Sequence, residues 1–220
     1  LSRILGALLA IDAAGPRAGV AVLGADGTVL SRRVAEARTG LTETLPELLQ
    51  TCLAEAKAKI EAVAVSIGPG SFTGLRNAIS IAQGYAAASG AALLGVPVGD
   101  VFAAALPNLH RPLWVAVRAR KGRIFIIRDG SAEAFSDADI PRPSLPIALA
   151  GDAANEVASR LAASGHDVLL TNARLIDPVW VGRAALSRHA ANLPPHPAQP
   201  IYVDPPEAKQ PAGGLRPQPV

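Results

Sequence analysis

The segment from Ala62 to Gly90 constrains the fold more than any other part of the chain. Ala62 to Ile67 is a short, almost wholly apolar run with the length of a buried strand. Gly68-Pro69-Gly70-Ser71-Phe72-Thr73-Gly74 follows at once as a tight loop. A helix is then expected from about Thr73 to Ala88, stopped by Gly90. A strand, a glycine loop and a helix in immediate succession belong to an α/β architecture.

The alternation extends to both sides. Leu8 to Ala13, Gly19 to Leu23 and Thr28 to Val34 read as three close-spaced strands, with Ala25-Asp26-Gly27 as a turn. Leu41, Leu45, Leu48, Leu49, Cys52, Leu53, Ala56 and Ile60 then recur at helical spacing. Thr42 or Gly40 would cap that helix, and Pro46 is tolerable within its first turn or so. Leu93 to Val98 is a further strand, and Asp100 caps a short helix. The order β-β-β-α-β-α-β-α is typical of a ribonuclease-H-like lobe.

The second half repeats the theme loosely. Leu113 to Ala119 and Arg123 to Arg128 form a hairpin around Lys121-Gly122. Ile147 to Ala150 is a strand, Ala153 to Ala163 a helix and Asp167 to Leu170 a strand. A last helix starts at Pro178 and runs to about Asn192. The similar halves imply a degenerate internal duplication, with lobes at 1–108 and 109–203. From Pro194 onward lie nine of the 19 prolines, which makes the end a strap or a tail, with 204–220 as the tail.

Composition narrows the function. The 220 residues suffice for one large domain or two small ones, and 50% hydrophobic content excludes a mainly disordered chain. One Cys excludes an intrachain disulfide framework and an all-thiolate metal site. The reducing cytoplasm is the simplest compartment. The apolar run Ile4 to Ile11 ends at Asp12, too short for a membrane span or a signal peptide. Leu1 stands where a start Met is expected, which implies a missing or altered start. The net charge of +3 sits in the second half and is too small to argue nucleic-acid binding alone.

Four features invite chemistry, each with a plainer reading beside it. The 68–74 loop opens a helix, so its N–H groups suit a small anion. It lacks the Gly-Lys-Ser/Thr ending of a Walker loop, since Leu75 and Arg76 follow Gly74. A structural loop that lets helix and strand pack closely is the alternative. Asp12 ends the first strand, where a phosphotransferase places a metal-binding carboxylate, but Ala13 and Ala14 offer no hydroxyl and Pro16 no N–H. It would otherwise fix the turn by hydrogen bonds. The helix after the loop is apolar over much of its girth, with small residues at Ala78, Ala82, Gly84 and Ala86. That fits a central buried helix or a protein–protein face shared with the Leu41–Ile60 helix. Finally Arg118, Arg120, Lys121, Arg123 and Arg128 crowd one hairpin. With Lys121-Gly122 as its turn, Arg120 would pair with Arg123 and Arg118 with Phe125, all on one face. Either an RNA phosphate or nearby acids would relieve their repulsion. The histidines, His110, His166, His189 and His196, form no i, i+4 pair.

Several of these stretches together resemble one family. Ile11-Asp12-Ala13-Ala14, the run Val65-Ser66-Ile67-Gly68-Pro69-Gly70-Ser71-Phe72-Thr73-Gly74-Leu75-Arg76, Ile81-Ala82-Gln83-Gly84 and Gly95-Val96-Pro97 resemble the TsaB (YeaZ) family of bacterial tRNA threonylcarbamoyladenosine biosynthesis. Val117 to Phe125 and Pro200-Ile201-Tyr202-Val203 are similar to two further family stretches. The resemblance implies an actin-like ATPase fold of two ribonuclease-H-like lobes, the sugar kinase and heat-shock chaperone architecture. It implies a cytoplasmic, noncatalytic scaffold that binds the catalytic paralogue TsaD, is joined by the ATPase TsaE, and dimerises when alone. Threonylcarbamoyl would go to the adenosine beside the anticodon of tRNA. No cofactor is expected on this chain; ATP and metal would lie on the partners. The pairing helices would be Thr42–Lys59 and Thr73–Ala88, with Leu45, Leu48, Leu49, Cys52, Leu53, Arg76, Ile79, Ser80 and Gln83 at the interface. Arg118 and Arg123 stand where the family has Asp and Glu, and Val203-Asp204 stands where it has Leu-Arg. The rival is an actin-like phosphotransferase that uses Asp12 and the 68–74 loop on ATP.

Overall fold

The structure, a computed structural model, describes residues 6–36, 41–119, 122–136 and 138–203, apart from the side chains of residues 41–43. Gly40, Arg120, Lys121 and the 204–220 tail lie outside the described residues, as does the Thr42 side chain.

Among the described residues, ten strands form two sheets of five. In the first, β1 (Ala7–Asp12), β2 (Arg17–Leu23) and β3 (Val29–Glu36) make an antiparallel meander, and β4 (Ile60–Gly68) and β5 (Ala92–Pro97) add parallel to β1 in the order β3-β2-β1-β4-β5. In the second, β6 (Leu113–Arg118), β7 (Ile124–Arg128) and β8 (Ser131–Phe135) form the meander. There β9 (Ile147–Ala150) and β10 (Val168–Leu170) add in parallel, giving β10-β9-β6-β7-β8. Read from the opposite end, the second order repeats the first, strand for strand.

The helices decide why the strands are so apolar. α1 (Leu41–Ala56) and α2 (Phe72–Ser89) cover one face of the first sheet; α3 (Val98–Ala105) and α5 (Pro178–Ala190) pack on each other against its other face. α4 (Ala154–Ala163) covers the outer face of the second sheet. Every residue of β1 is buried, as in a strand covered on both sides. Leu9, Ile11, Val63 and Val65 point at α1 and α2. Leu8, Ala10, Ala62 and Ala64 join Val115, Val117, Phe125 and Ile127 of the second sheet in one core with α3 and α5. α5 follows the second sheet in sequence yet lies on β1 and β2, so the two halves share their central core.

Local rules explain the boundaries. Asp177 caps α5, accepting a hydrogen bond from the Val179 N–H at 3.0 Å, with Pro178 in its first turn. Asp26 accepts from the Thr28 N–H and hydroxyl at 2.9 and 2.8 Å, which fixes the β2–β3 turn.

Five expectations shift. α1 ends at Ala56 because Lys57 turns left-handed (φ 48°), so Ile60 begins β4 instead of ending the helix. Pro46 is the sixth residue of α1, in its second turn, so it withholds an N–H from the helix ladder. Asp100 sits inside the first turn of α3, whose cap position is Pro97. β8 was not anticipated, although Asp129-Gly130, with φ 50° and 76°, carries the hairpin signal for it. The β6–β7 register is one residue off: Arg118 pairs with Ile124 and Val117 with Phe125, and the Ala119 N–H bonds the Arg123 carbonyl at 2.9 Å. Five residues, 119–123, lie between the two strands.

Candidate functional site: the α1–α2 face and the closed glycine loop

The glycine loop docks on the β1–β2 turn. The Ser71 N–H bonds the Ala14 carbonyl at 2.7 Å. A Cβ on Gly70 would stand 2.3 Å from the Ala14 oxygen, and one on Gly74 2.0 Å from the Ala13 oxygen. These glycines therefore permit a backbone contact that no side chain allows. The Ser71 hydroxyl accepts a hydrogen bond from the Gly74 N–H at 3.2 Å and caps α2 itself. Two N–H groups that an anion would have used are thus already engaged. Of the loop residues Gly68, Pro69 and Gly74 are buried, while Phe72 and Thr73 are exposed.

Asp12 is buried at the end of β1. Its Oδ1 accepts from the Ser66 hydroxyl at 2.5 Å and from the Ala14 N–H at 3.2 Å. Burial pushes its carboxyl up to about 6, against the lowering effect of those hydrogen bonds. The carboxylate fastens β1 to β4 and shapes the turn. Ser66 was missed from the sequence, where it reads as a polar interruption of a strand.

The second lobe repeats this arrangement in reduced form. The Ala153 N–H bonds the Ala116 carbonyl at 3.1 Å, and Asp152 Oδ1 accepts from the Arg118 N–H at 2.9 Å. Partial burial pushes the Asp152 carboxyl up as well.

The nine residues expected at a partner interface divide three ways. Leu45, Cys52 and Ile79 are buried against the first sheet, and Cys52 Sγ lies 3.3 Å from the Val20 carbonyl. Burial pushes that thiol up, as in an inert structural cysteine. Leu48, Leu49 and Leu53 are half-buried against the same core, as are Ile81 and Tyr85 of α2. Arg76, Ser80 and Gln83 are exposed along one stripe of α2. Arg76 Nε donates to the Tyr202 hydroxyl at 3.0 Å, and Gln83 Nε2 donates to the Ala198 carbonyl at 3.3 Å. Apart from Phe72 at its start, the rest of the exposed surface of α2 is small: Thr73, Gly84, Ala87, Ala88 and Ser89. A Cβ on Gly84 would meet nothing within 4 Å, so the helix backbone is open to close approach there.

The one-register shift separates the basic residues of the hairpin. Arg118 lies on the α4 side with Ile124 and pairs with Glu156 at 3.2 Å. Arg123 lies on the other face, where its Nη2 donates to the Ala134 carbonyl at 3.2 Å. Arg128 sits over the Trp114 ring at 4.9 Å and pairs with Glu133. Arg118 and Arg123 therefore do not share a face, and acids of the same chain relieve two of these charges. Among the described residues, no three His, Cys, Asp or Glu side chains come together as a metal-binding group, and no helix is long and apolar enough to cross a membrane.

Solved structures share this architecture. YeaZ from Pseudomonas aeruginosa matches with a TM-score of 0.72 at 23% identity, over 89% of this chain and 100% of that one. A protein described as similar to peptidase YEAZ from Pseudomonas aeruginosa matches with a TM-score of 0.72 at 22% identity, over 90% and 99%. Component A of (R)-2-hydroxyglutaryl-CoA dehydratase from Acidaminococcus fermentans matches at 0.50 and 11% identity, over 84% and 99%. At these identities the likeness is one of fold, and the fold is the two-lobed actin-like ATPase fold. No curated protein sequence matched. The family model described as TsaD, tRNA N6-adenosine threonylcarbamoyltransferase, matches residues 35–163. That match takes in more than half of the chain, which thus belongs to the TsaD family of tRNA-modification proteins.

Proposed function

We propose that this chain is a noncatalytic, TsaB-type member of the family. It binds a catalytic TsaD paralogue through α1 and α2 and activates it, within a complex that TsaE joins. That complex places threonylcarbamoyl on the adenosine beside the anticodon of tRNA. Alone, the chain pairs with itself through the same face.

The observation that carries the reading is the closed glycine loop. Its Ser71 N–H is spent on Ala14, its Ser71 hydroxyl on Gly74, and the Asp12 carboxylate on Ser66 and Ala14. A phosphotransferase would need these groups free for phosphate and metal. The open stripe of small residues on α2, flanked by half-buried leucines of α1, favours a helical partner instead.

Reconstitution with the TsaD and TsaE proteins of the same organism tests this. Modified tRNA should form only with all three present. Gly84→Arg should weaken binding to TsaD at least about tenfold, or ~1.4 kcal/mol. The position is exposed and helical, so the variant keeps or raises the melting temperature. Tight binding by this variant, or tRNA modification that proceeds without the chain, overturns the proposal. Loss of an ATP-dependent activity in Asp12→Asn would favour the phosphotransferase instead.

A further inference from the structure

After α5 the chain returns to the first lobe. Arg188 Nε donates to the Pro194 carbonyl at 2.7 Å, where the return begins. The Gly95 N–H bonds the His196 carbonyl at 2.9 Å, a single bridge on the free edge of β5. A Cβ on Gly95 would stand 2.4 Å from the Pro197 oxygen, so the strap crosses β5 where no side chain intervenes. Ala198 is buried in the α1–α2 core, and its carbonyl takes the Gln83 hydrogen bond. The Ile201 N–H bonds the Ile67 carbonyl at 2.8 Å. Tyr202 ends the run, its hydroxyl accepting from Arg76 and its ring 5.8 Å from that of Phe72. The Arg76 guanidinium lies 3.9 Å from the centre of the Phe72 ring.

Two properties of this strap stand together. It runs antiparallel to α2, with Ala198 beside Gln83 and Tyr202 beside Arg76, along the stripe that includes Ser80. Seven helical residues rise roughly 10 Å, and four extended ones span about 13 Å, so the two segments match in length. It is also weakly rooted. Of residues 193–203, Ala198 alone is buried, and Leu193, Ile201 and Tyr202 are 47%, 36% and 52% exposed. A segment with one buried side chain opens at a much lower free energy than the core that it lies on.

We propose that residues 194–203 are a latch on the partner-facing stripe of α2. Seated, the latch holds Arg76 and Gln83 in one arrangement and orders the start of the helix at Phe72. Open, it releases Arg76 from Tyr202, Gln83 from Ala198 and the Phe72 ring from that of Tyr202, on an otherwise intact lobe. The seated state binds the partner more tightly, because its long polar side chains are already ordered. This coupling rests on the proposed α1–α2 pairing; the latch itself does not.

The test uses the full chain and three variants: Tyr202→Ala, Tyr202→Phe and Arg76→Lys. Amide exchange should quicken about tenfold or more at Ile201 and Gly95, whose N–H groups bond across the strap, and in the first turns of α2 for Tyr202→Ala, from the lost charged hydrogen bond and ring contacts. Exchange in β1, β2 and the second sheet should stay as in the unaltered protein. Tyr202→Phe, which keeps the ring, should fall between. Tyr202→Ala added to Arg76→Lys should cost less than the two single effects combined. Affinity for the TsaD paralogue should drop in the same order as exchange quickens. Unchanged exchange at the start of α2 overturns the latch, and quickened exchange with equal or tighter partner binding overturns the coupling. If the unaltered chain binds no TsaD paralogue, the proposed function fails, while exchange alone still judges the latch.

Discussion

Asp12 shows how one side chain can be read two ways at the end of a strand. Its position suits a metal ligand, yet Ser66 and Ala14 consume its oxygens, and a carboxyl in such a place costs stability when ionised. Its folded value of about 6 lies above the ordinary 3.8, so folding favours the protonated form. That contribution is complete below about pH 4 and is lost as the pH rises through about 6. A shift of about two units corresponds to roughly 3 kcal/mol. Asp12→Asn keeps an acceptor for Ser66 and Ala14 and carries no charge. We predict that it flattens the stability profile between about pH 4 and pH 6. Above about pH 7 it should raise unfolding stability by roughly 1–3 kcal/mol. Urea unfolding at several pH values measures this, and an unchanged slope with pH would contradict it. The sequence showed the carboxylate and the missing hydroxyls beside it. It did not show Ser66 as its partner, because that bond joins residues 54 apart in sequence on neighbouring strands.

At the scale of elements, α5 is held to the first lobe by a joint built on Asp177. Its carboxylate caps the helix and also receives Arg32 of β3, Nε to Oδ1 at 3.0 Å and Nη2 to Oδ2 at 2.5 Å. The ion pair is largely exposed on the arginine side, so it adds ~1 kcal/mol or less. The cap adds about 1 kcal/mol. Asp177→Ala should therefore destabilise the protein by about 1–2 kcal/mol, Arg32→Ala by clearly less, and Asp177→Asn, which retains a capping oxygen, by an intermediate amount. Thermal melts of the three rank them, and an equal effect of Arg32→Ala would assign the joint to the ion pair. Most elements were legible because their signals are local: the strand–loop–helix at Ala62 to Gly90, the β1–β3 meander, and α5 starting at Pro178. One failure was local, since Asp129-Gly130 signals the β7–β8 hairpin; others were non-local or quantitative. A helical wheel marks Leu45 and Leu49 alike as apolar, and only the sheet beneath decides that Leu45 is buried and Leu49 half-covered. The strap carries no periodic signal, since backbone groups of β4 and β5 hold it in place.

At the scale of the molecule, the duplication seen as a loose sequence echo appears as two sheets with one strand order. The copies are unequal. The first has α1 between its third and fourth strands, whereas the described residues between β8 and β9 form no helix. That leaves α1 and α2 as a two-helix outer layer on the first lobe, where the second has α4. The lobes are also not separable pieces, because α5 belongs to the second by order and to the first by packing. Residues 1–108 expressed alone should lack a cooperative thermal transition and bind a hydrophobic dye. The full chain should unfold in one transition with matching calorimetric and van't Hoff enthalpies. A stably folded 1–108 fragment would show that α5 is dispensable to the first core.

The strap has a consequence for solubility that is independent of any partner. β5 is the outer strand of its sheet and reads Ala92-Leu93-Leu94-Gly95-Val96-Pro97, a short aliphatic run with no sheet strand along one side among the described residues. Such a strand is a template for growth by strand addition. The opposite edge, β3, carries Arg32, Arg33 and Glu36, and β10 is three residues long. The aliphatic edge is the one that the strap crosses at Gly95, with Pro97 closing its far end. The segment that ends the described chain thus serves as a gatekeeper, blocking strand-to-strand polymerisation at the edge most prone to it.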